Sequence, residues 1–225
     1  MTGEKYYATV AADVVLFALR ERRLHVLLIQ RGHPPFKDMW ALPGGIVEPH
    51  ETPAAAARRE LAEETGITQV PYLRQLAVFG EPDRDPRGRV ISIAYVGLTP
   101  TATAVQRGDN AARAQWQPVE ALPPLAFDHD YIVTCALERT RAQIMRDQRL
   151  LFHLVAAPFT LTELQRGFEA VMGYKVDKRN FRRQILSRGW LEPVTVRNHE
   201  GPGRPAQEYR PREDAYLPSP DDQCV

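Results

Sequence analysis

Apolar side chains crowd two runs near the start of the chain, 8–19 and 24–30, rich in alanine, leucine and β-branched residues and separated by Arg20-Glu21-Arg22-Arg23. Two such runs flanking a polar turn predict a β-hairpin. Further strand-like runs fall at 72–79, 90–98 and 114–119, the first two joined by the Pro-, Gly- and charge-rich loop 80–89. Helical patterns occupy 53–65 and, after Leu122-Pro123-Pro124-Leu125, 128–146. The expected first domain, 1–147, is therefore a mixed sheet covered by helices, an α+β arrangement.

Beyond Arg149 the pattern changes. Residues 150–156 read as a short helix interrupted by Pro158, and Thr160 and Glu163 have the spacing of a capping box that opens another. That helix is expected to end near Gly173, after which Asp177 caps a basic helix, 178–188, stopped by Gly189. Residues 190–197 and 206–210, either side of Gly201-Pro202-Gly203, read as a two-stranded ribbon. Helices, a basic helix and a hairpin in this order predict a small winged helix-turn-helix over 148–212. The tail 213–225, with Pro218, Pro220 and acidic residues, is expected to be disordered.

Charge separates the same segments. The chain carries a net charge of +1, but 1–147 hold 17 Lys+Arg against 18 Asp+Glu, whereas 148–212 hold 12 against 6, which is consistent with a polyanionic partner for the second domain or with a solvated basic surface. The uninterrupted apolar run 14–19 is too short to span a bilayer, and the opening residues lead into no signal-peptide core, so no membrane association is expected. Cys135 and Cys224 lack metal-ligand spacing and fit a reducing, cytoplasmic setting.

The richest chemistry lies around the helix 53–65. Thr52 suits the N-cap, Pro53 the first helical position, Ala54 to Ala57 propagate the helix, and Gly66 provides a left-handed stop. Glu60 and Glu64 are four residues apart and Glu63 three beyond Glu60, so three carboxylates crowd one side. Their mutual repulsion is relieved by a hard divalent cation, and Mg²⁺ held by few carboxylates keeps positions for phosphate oxygens. Arg59, four residues before Glu63, is placed to brace it.

Gly45, Glu51, Arg59, Glu60, Glu63, Glu64 and Gly66, with Leu61 and Ile67, resemble the signature of the Nudix hydrolase family at every defining position. Seven fixed residues at a usage of ~6–7% each coincide by chance about once in 10⁸ starting points. The resemblance implies the Nudix α/β/α sandwich and a loop–helix–loop that holds Mg²⁺ or Mn²⁺ against a pyrophosphate. It makes Glu60 and Glu64 the principal metal ligands, Glu63 a further ligand or bridge, and Glu51 an orienting or outer group. Arg59 would orient a glutamate, and Gly44-Gly45 would let the backbone close on the ion. The implied reaction is attack of a metal-activated water on a nucleoside diphosphate derivative.

The loop 80–89, with Arg84, Arg87 and Arg89, resembles the substrate loop of Nudix proteins that handle ADP-ribose, although the same composition also describes an ordinary charged hairpin tip. His129, at a helix start, reads as a cap or packing residue. In the second domain Lys178, Arg179, Asn180, Arg182 and Arg183 fill the first turns of one helix, with Phe181, Ile185 and Leu186 facing inward. This is the layout of a recognition helix, and Arg204 at the Gly/Pro tip suits a wing in the minor groove.

A Nudix domain followed by this module resembles, over nearly the whole chain, the Nudix-related transcriptional regulators of NAD metabolism. That resemblance implies ADP-ribose as effector, double-stranded operator DNA as partner and a homodimer matching two-fold operators; with the carboxylates intact it leaves open both ADP-ribose pyrophosphatase activity and a Nudix domain that only binds. The alternative is a metal-dependent Nudix hydrolase whose winged helix is an accessory module.

Overall fold

The computed structural model describes residues 7–100, 111–194 and 206–216. Strands β1 (Thr9–Arg20) and β2 (Arg23–Arg31) form the expected hairpin, and two short strands not foreseen, β3 (Trp40–Ala41) and β4 (Gly44–Ile46), precede helix α1 (Pro53–Thr65). Then come β5 (Tyr72–Phe79), β6 (Val90–Thr99), β7 (Ala111–Pro118) and helix α2 (His129–Arg146). The sheet runs β3-β2-β1-β6-β5, with β4 added to β1 and β7 to β2. Its β1 and β6 are parallel while the other pairs are antiparallel, so the sheet is mixed.

β1 is buried on both sides and explains the layering. Ala12, Val14 and Leu16 pack with Ala56, Ala57 and Leu61 of α1. The intervening Val15 and Phe17 face Ile132, Val133 and Ala136 of α2. Alternate side chains of a strand point to opposite faces, so one continuous apolar run serves two helices, and the α/β/α sandwich follows. Gly97 keeps the sheet tight against this core, because a Cβ there would crowd the Leu16 side chain.

The second domain holds β8 (Phe159–Thr160), α3 (Leu161–Met172), α4 (Lys178–Ser187), β9 (Leu191–Val194) and β10 (Glu208–Pro211). The expected helix at 150–156 is a shorter 3₁₀ turn, Gln148–His153, begun by Asp147, whose side chain accepts from the Arg149 backbone. Thr160 and Glu163 close the capping box, and Gly173 ends α3 in the left-handed conformation. β10 is central to a three-stranded sheet, pairing with both β8 and β9. Helices α3 and α4 and this sheet make the winged helix, although the wing tip lies outside the described residues.

Two expectations are corrected. The chain beyond Arg212 was expected to be disordered throughout, yet Glu213–Ala215 forms a 3₁₀ turn with Ala215 buried. Tyr216 sets its ring against Phe152 and His153 at 6.3 and 5.6 Å, an apolar gain that the acidic composition around it hides. Leu186, expected to face inward, is 45% exposed, because Phe181 and Ile185 already fill the buried face of α4.

The two domains share one apolar core. Phe152, Phe159, Leu164, Phe168, Phe181 and Ile185 join the cluster that holds Phe17, Ile132 and Ala136. At the junction Gly167 of α3 passes so close to Val155 and Leu19 that a Cβ would meet their methyl groups at 2.8 and 3.0 Å. The winged helix therefore rests directly on the β1–β2 hairpin and on α2 rather than hanging from a linker.

Candidate functional sites

The helix α1 is built as its local sequence dictates. Thr52 caps it by accepting from the Ala55 amide at 3.1 Å, Pro53 opens it, and Gly66 closes it at φ 75° with its N–H on the Ala62 carbonyl. These caps fix which carboxylates reach the adjacent strand β4. Glu64 is buried and accepts from the Gly44 amide at 3.0 Å. Glu60 lies against Gly45 so closely that any Cβ there would fall on its carboxylate. The two glycines thus create the approach that the two carboxylates need.

Arg59 clasps the rest. Its Nη2 and Nε donate to the two oxygens of Glu51 at 2.7 and 3.1 Å, and its Nη1 donates to Glu60 and Glu63 at 2.9 and 3.1 Å. The bidentate pair ties the loop before α1 to the helix, and the Glu51 carboxylate also accepts from the Glu48 amide at 2.9 Å. The Arg59 hydrogen bonds hold the Glu51 carboxyl below its usual range. Glu63 is 53% exposed on its side chain and faces outward with Arg59.

Burial acts in the opposite direction on the inner pair. It raises the Glu60 carboxyl and pushes that of Glu64 up to about 8, with the neighbouring Glu60 and Asp13 charges adding to the effect. Among the described residues no three His, Cys, Asp or Glu side chains form a ready metal cage. Two adjacent, poorly solvated carboxylates beside a glycine backbone are nevertheless a donor set that suits a hard divalent cation, which would relieve their shared charge. Glu60 and Glu64 fit such an ion as the inner donors, with Glu63 and Glu51 farther out.

Beside this pair opens a pocket of about 350 Å³, bordered by β1, β4, the loop before β6 and the start of α2. Arg84, Arg87 and Arg89 all line it, as do Gly44 and Gly45. They differ in freedom. Arg84 is buried and bonded bidentately to Asp128 at 2.6 and 2.9 Å, with Asp13 at 3.9 Å. Arg87 is clamped by Asp85, with contacts down to 2.6 Å, and its guanidinium lies 5.6 Å from the Phe127 ring centre. Arg89 donates to the Gly80 carbonyl at 2.6 Å.

Asp13, Arg31 and Phe127, which the sequence assigns to no site, also line this pocket, as does His129, expected to be a cap or packing residue. Phe127 sits at φ 58°, a conformation bulky side chains rarely adopt, with the Arg31 guanidinium 4.8 Å from its ring centre. His129 accepts from the Leu42 amide through Nδ1 at 2.9 Å, so its proton sits on Nε2, 3.8 Å from Asp13. Burial keeps this imidazole below its ordinary pKa. Asp13 also receives a short hydrogen bond from the Ser92 hydroxyl. An acid within the apolar strand β1 was the one available signal, since a buried carboxylate requires partners.

In the second domain Asp177 caps α4 by accepting from the Asn180 amide at 2.8 Å, and Phe181 and Ile185 anchor the helix. Lys178, Arg179, Asn180 and Arg183 are exposed together, and the Arg183 Nη2 donates to the Asn180 side-chain oxygen at 3.0 Å. Arg182 is different: it turns inward, half-buried, and donates to the Thr162 hydroxyl of α3 at 2.8 Å. Glu169 fixes the turn between the helices, accepting from Lys175 at 2.8 Å, Gln165 at 3.0 Å and the Val176 amide at 3.2 Å. Arg204 lies outside the described residues.

A carboxylate–glycine site beside an arginine-lined pocket, on a sandwich joined to a winged helix, defines a two-domain protein with a small-molecule site and a nucleic-acid-type module. The NUDIX domain model matches residues 8–135, and the NrtR DNA-binding winged helix domain model matches 151–210. The chain belongs to the NrtR family of Nudix proteins with a C-terminal winged helix. It is 37% identical over 205 residues to the ADPR responsive transcriptional repressor NtrR of Acinetobacter baylyi, covering 89% of this chain and 81% of that one. The crystal structure of Shewanella oneidensis NrtR with a 27mer DNA is similar at a TM-score of 0.77 and 31% identity, over 92% of this chain and 94% of that one. The NUDIX domain of the same protein with ADP ribose is similar at a TM-score of 0.57 and 34% identity, over 60% of this chain and 90% of that one.

No helix of the described residues is long and apolar enough to cross a membrane.

Proposed function

We propose that this chain is an ADP-ribose-responsive transcriptional regulator of NAD metabolism that binds the effector in its Nudix pocket and operator DNA through α4 and the wing. The observation that carries this reading is the course of α2. Its first residue, His129, lines the pocket and its N-cap, Asp128, holds the pocket's Arg84, while Arg141 toward its other end donates to the Val171 carbonyl at the close of α3 at 2.8 Å. One helix of 18 residues, about 27 Å long at 1.5 Å per residue, therefore touches both the effector pocket and the domain that carries α4. Any ligand that changes how Asp128 and His129 are held acts on an element packed against α3.

Cleavage of ADP-ribose to AMP and ribose 5-phosphate is the second activity of this reading, supported by the complete carboxylate set. Glu60 and Glu64 would hold Mg²⁺ or Mn²⁺, which supplies an activated water and offsets pyrophosphate charge when bound. Gly44-Gly45 admits the phosphate close to the backbone, Arg59 and Glu51 hold the loop, and Arg87 and Arg89 border the pocket from the loop side. The regulator acts in the cytoplasm as a homodimer, which matches a two-fold operator.

DNA binding is tested by the salt dependence of operator affinity in variants of α4. Lys178→Ala should weaken all sequences and lower the salt slope by about one unit, the mark of one lost phosphate contact. Asn180→Ala, which also frees Arg183, should cost ~1–3 kcal/mol and relax preference at one base position. Arg182→Ala loosens α4 from α3 and should weaken every sequence without relaxing any. Affinity indifferent to salt and to all three substitutions would remove α4 from the DNA interface.

A further inference from the structure

Away from the Nudix pocket, a second cleft of about 630 Å³ lies where the β1–β2 hairpin tip meets α2 and α3, lined by five cations, Arg22, Arg23, Arg141, Arg166 and Lys175, and by two carboxylates, Glu120 and Glu169. Two of these cations are engaged: Arg23 pairs with Glu120 at 3.5 Å and Lys175 with Glu169 at 2.8 Å. Arg141 donates to the Val171 carbonyl and forms no ion pair among the described residues. Arg22 and Arg166 form no ion pair among the described residues, and both also line the adjoining groove beneath the hairpin. Three guanidinium charges thus face one concave space whose floor, Leu24, Val119 and Leu137, is apolar. Such a space is of ligand-binding size.

The hairpin tip adds an independent indication. Arg20 pairs with Arg23, so the turn has only two residues, Glu21 and Arg22, at φ 47° and 64°. That geometry is ordinarily met by Asn-Gly, and two long side chains in it are strained. Retaining an arginine there has a reason if its guanidinium is used.

We infer that this interdomain cleft binds a small polyphosphate anion, a triphosphate group held by Arg22, Arg141 and Arg166. Planar guanidinium forks match phosphate oxygens bidentately, and three of them suit a chain of phosphates better than a single carboxylate. The group is either inorganic polyphosphate or the phosphate arm of a nucleotide whose base lies on Tyr174, a residue 51% exposed that borders the cleft. Because both domains line the cleft, its occupant bridges them.

The test is calorimetric titration of the full chain with inorganic tripolyphosphate, and separately with ATP, without divalent metal and with the Nudix pocket saturated by ADP-ribose. One tripolyphosphate should bind per chain. Arg22→Gly, which also relieves the turn, should keep or raise Tm and weaken binding at least tenfold, and Arg166→Gln should do the same to binding. Tighter binding of ATP that Tyr174→Ala abolishes supports the nucleotide source, whereas equal binding of the two probes supports inorganic polyphosphate. Absence of binding, displacement by excess ADP-ribose, or binding untouched by both arginine substitutions overturns the assignment. So does a result in which these substitutions weaken only operator DNA, since the arginines would then hold the DNA backbone.

Discussion

Glu64→Gln is expected to lower metal-dependent ADP-ribose cleavage by at least ~10²-fold and, in the same protein without metal, to raise stability at alkaline pH. The second effect follows from burial. The folded carboxyl titrates at about 8, against 4.5 as the ordinary value. Between those values the folded state holds a proton that the unfolded chain has released, so wild-type stability falls as pH rises from about 4.5 towards 8 and levels beyond. The neutral amide escapes that cost, which is on the order of a few kcal/mol for a carboxylate this deeply buried. Thermal unfolding in EDTA should therefore show wild type and variant converging near pH 5 and the variant melting higher at pH 9. Mg²⁺ should raise the wild-type Tm most at high pH and the variant's least. A variant less stable than wild type at pH 9 would contradict the electrostatic reading of this site.

Arg84→Ala is expected to damage the fold rather than merely weaken ADP-ribose. The side chain is 3% exposed, and its guanidinium satisfies Asp128 bidentately with Asp13 within 4 Å. Removing one partner of a buried ion pair leaves unpaired charge and costs ~3–5 kcal/mol. For a chain of this size that corresponds to roughly 6–20 °C in Tm. Arg89→Ala, whose guanidinium holds only the Gly80 carbonyl among the described residues, should leave Tm within about 2 °C because surface changes of this kind are small. Melting curves and ADP-ribose titrations of the two variants separate the roles. Equal, negligible Tm changes in both would mean that Arg84 is not the strut its geometry describes.

The contrast between these arginines shows what can be read from sequence. Helix α1 was legible because its determinants are local: Thr52, Pro53, the alanines, Gly66 and the carboxylate spacing all lie within fifteen residues. The capping box of α3 and the Asp177 cap of α4 were legible for the same reason. The pocket behind the carboxylates was not, because it depends on distant pairings. Asp13 meets Ser92 through the parallel β1–β6 contact, and Leu42 meets His129 across 87 residues. No spacing rule connects such positions. Composition likewise makes Arg84, Arg87 and Arg89 equivalent, and only the fold distinguishes a buried strut from side chains at a pocket mouth. Arg182 teaches the same lesson in α4, where helical periodicity places it beside the exposed basic residues but the packing of α3 draws it onto Thr162.

The shared core bears on regulation. Two domains joined by a flexible linker would transmit little, whereas here α2, the hairpin and α3 form one apolar body in which Gly167 leaves no slack. Small changes at a packed junction favour one arrangement over another rather than deforming it continuously. An effector couples to DNA only through its differential affinity for those arrangements.

The central claim is therefore a thermodynamic linkage between the Nudix pocket and the winged helix, and it is tested most directly by measuring operator affinity with and without saturating ADP-ribose. Metal is withheld and the Glu64→Gln protein run alongside, so that the effector survives the titration; AMP serves as control and salt is held fixed. The account predicts that ADP-ribose weakens operator binding about tenfold or more and that the DNA complex binds ADP-ribose more weakly by the same factor, a coupling of at least ~1.4 kcal/mol. Operator affinity that stays unchanged while ADP-ribose is shown to fill its pocket would contradict it.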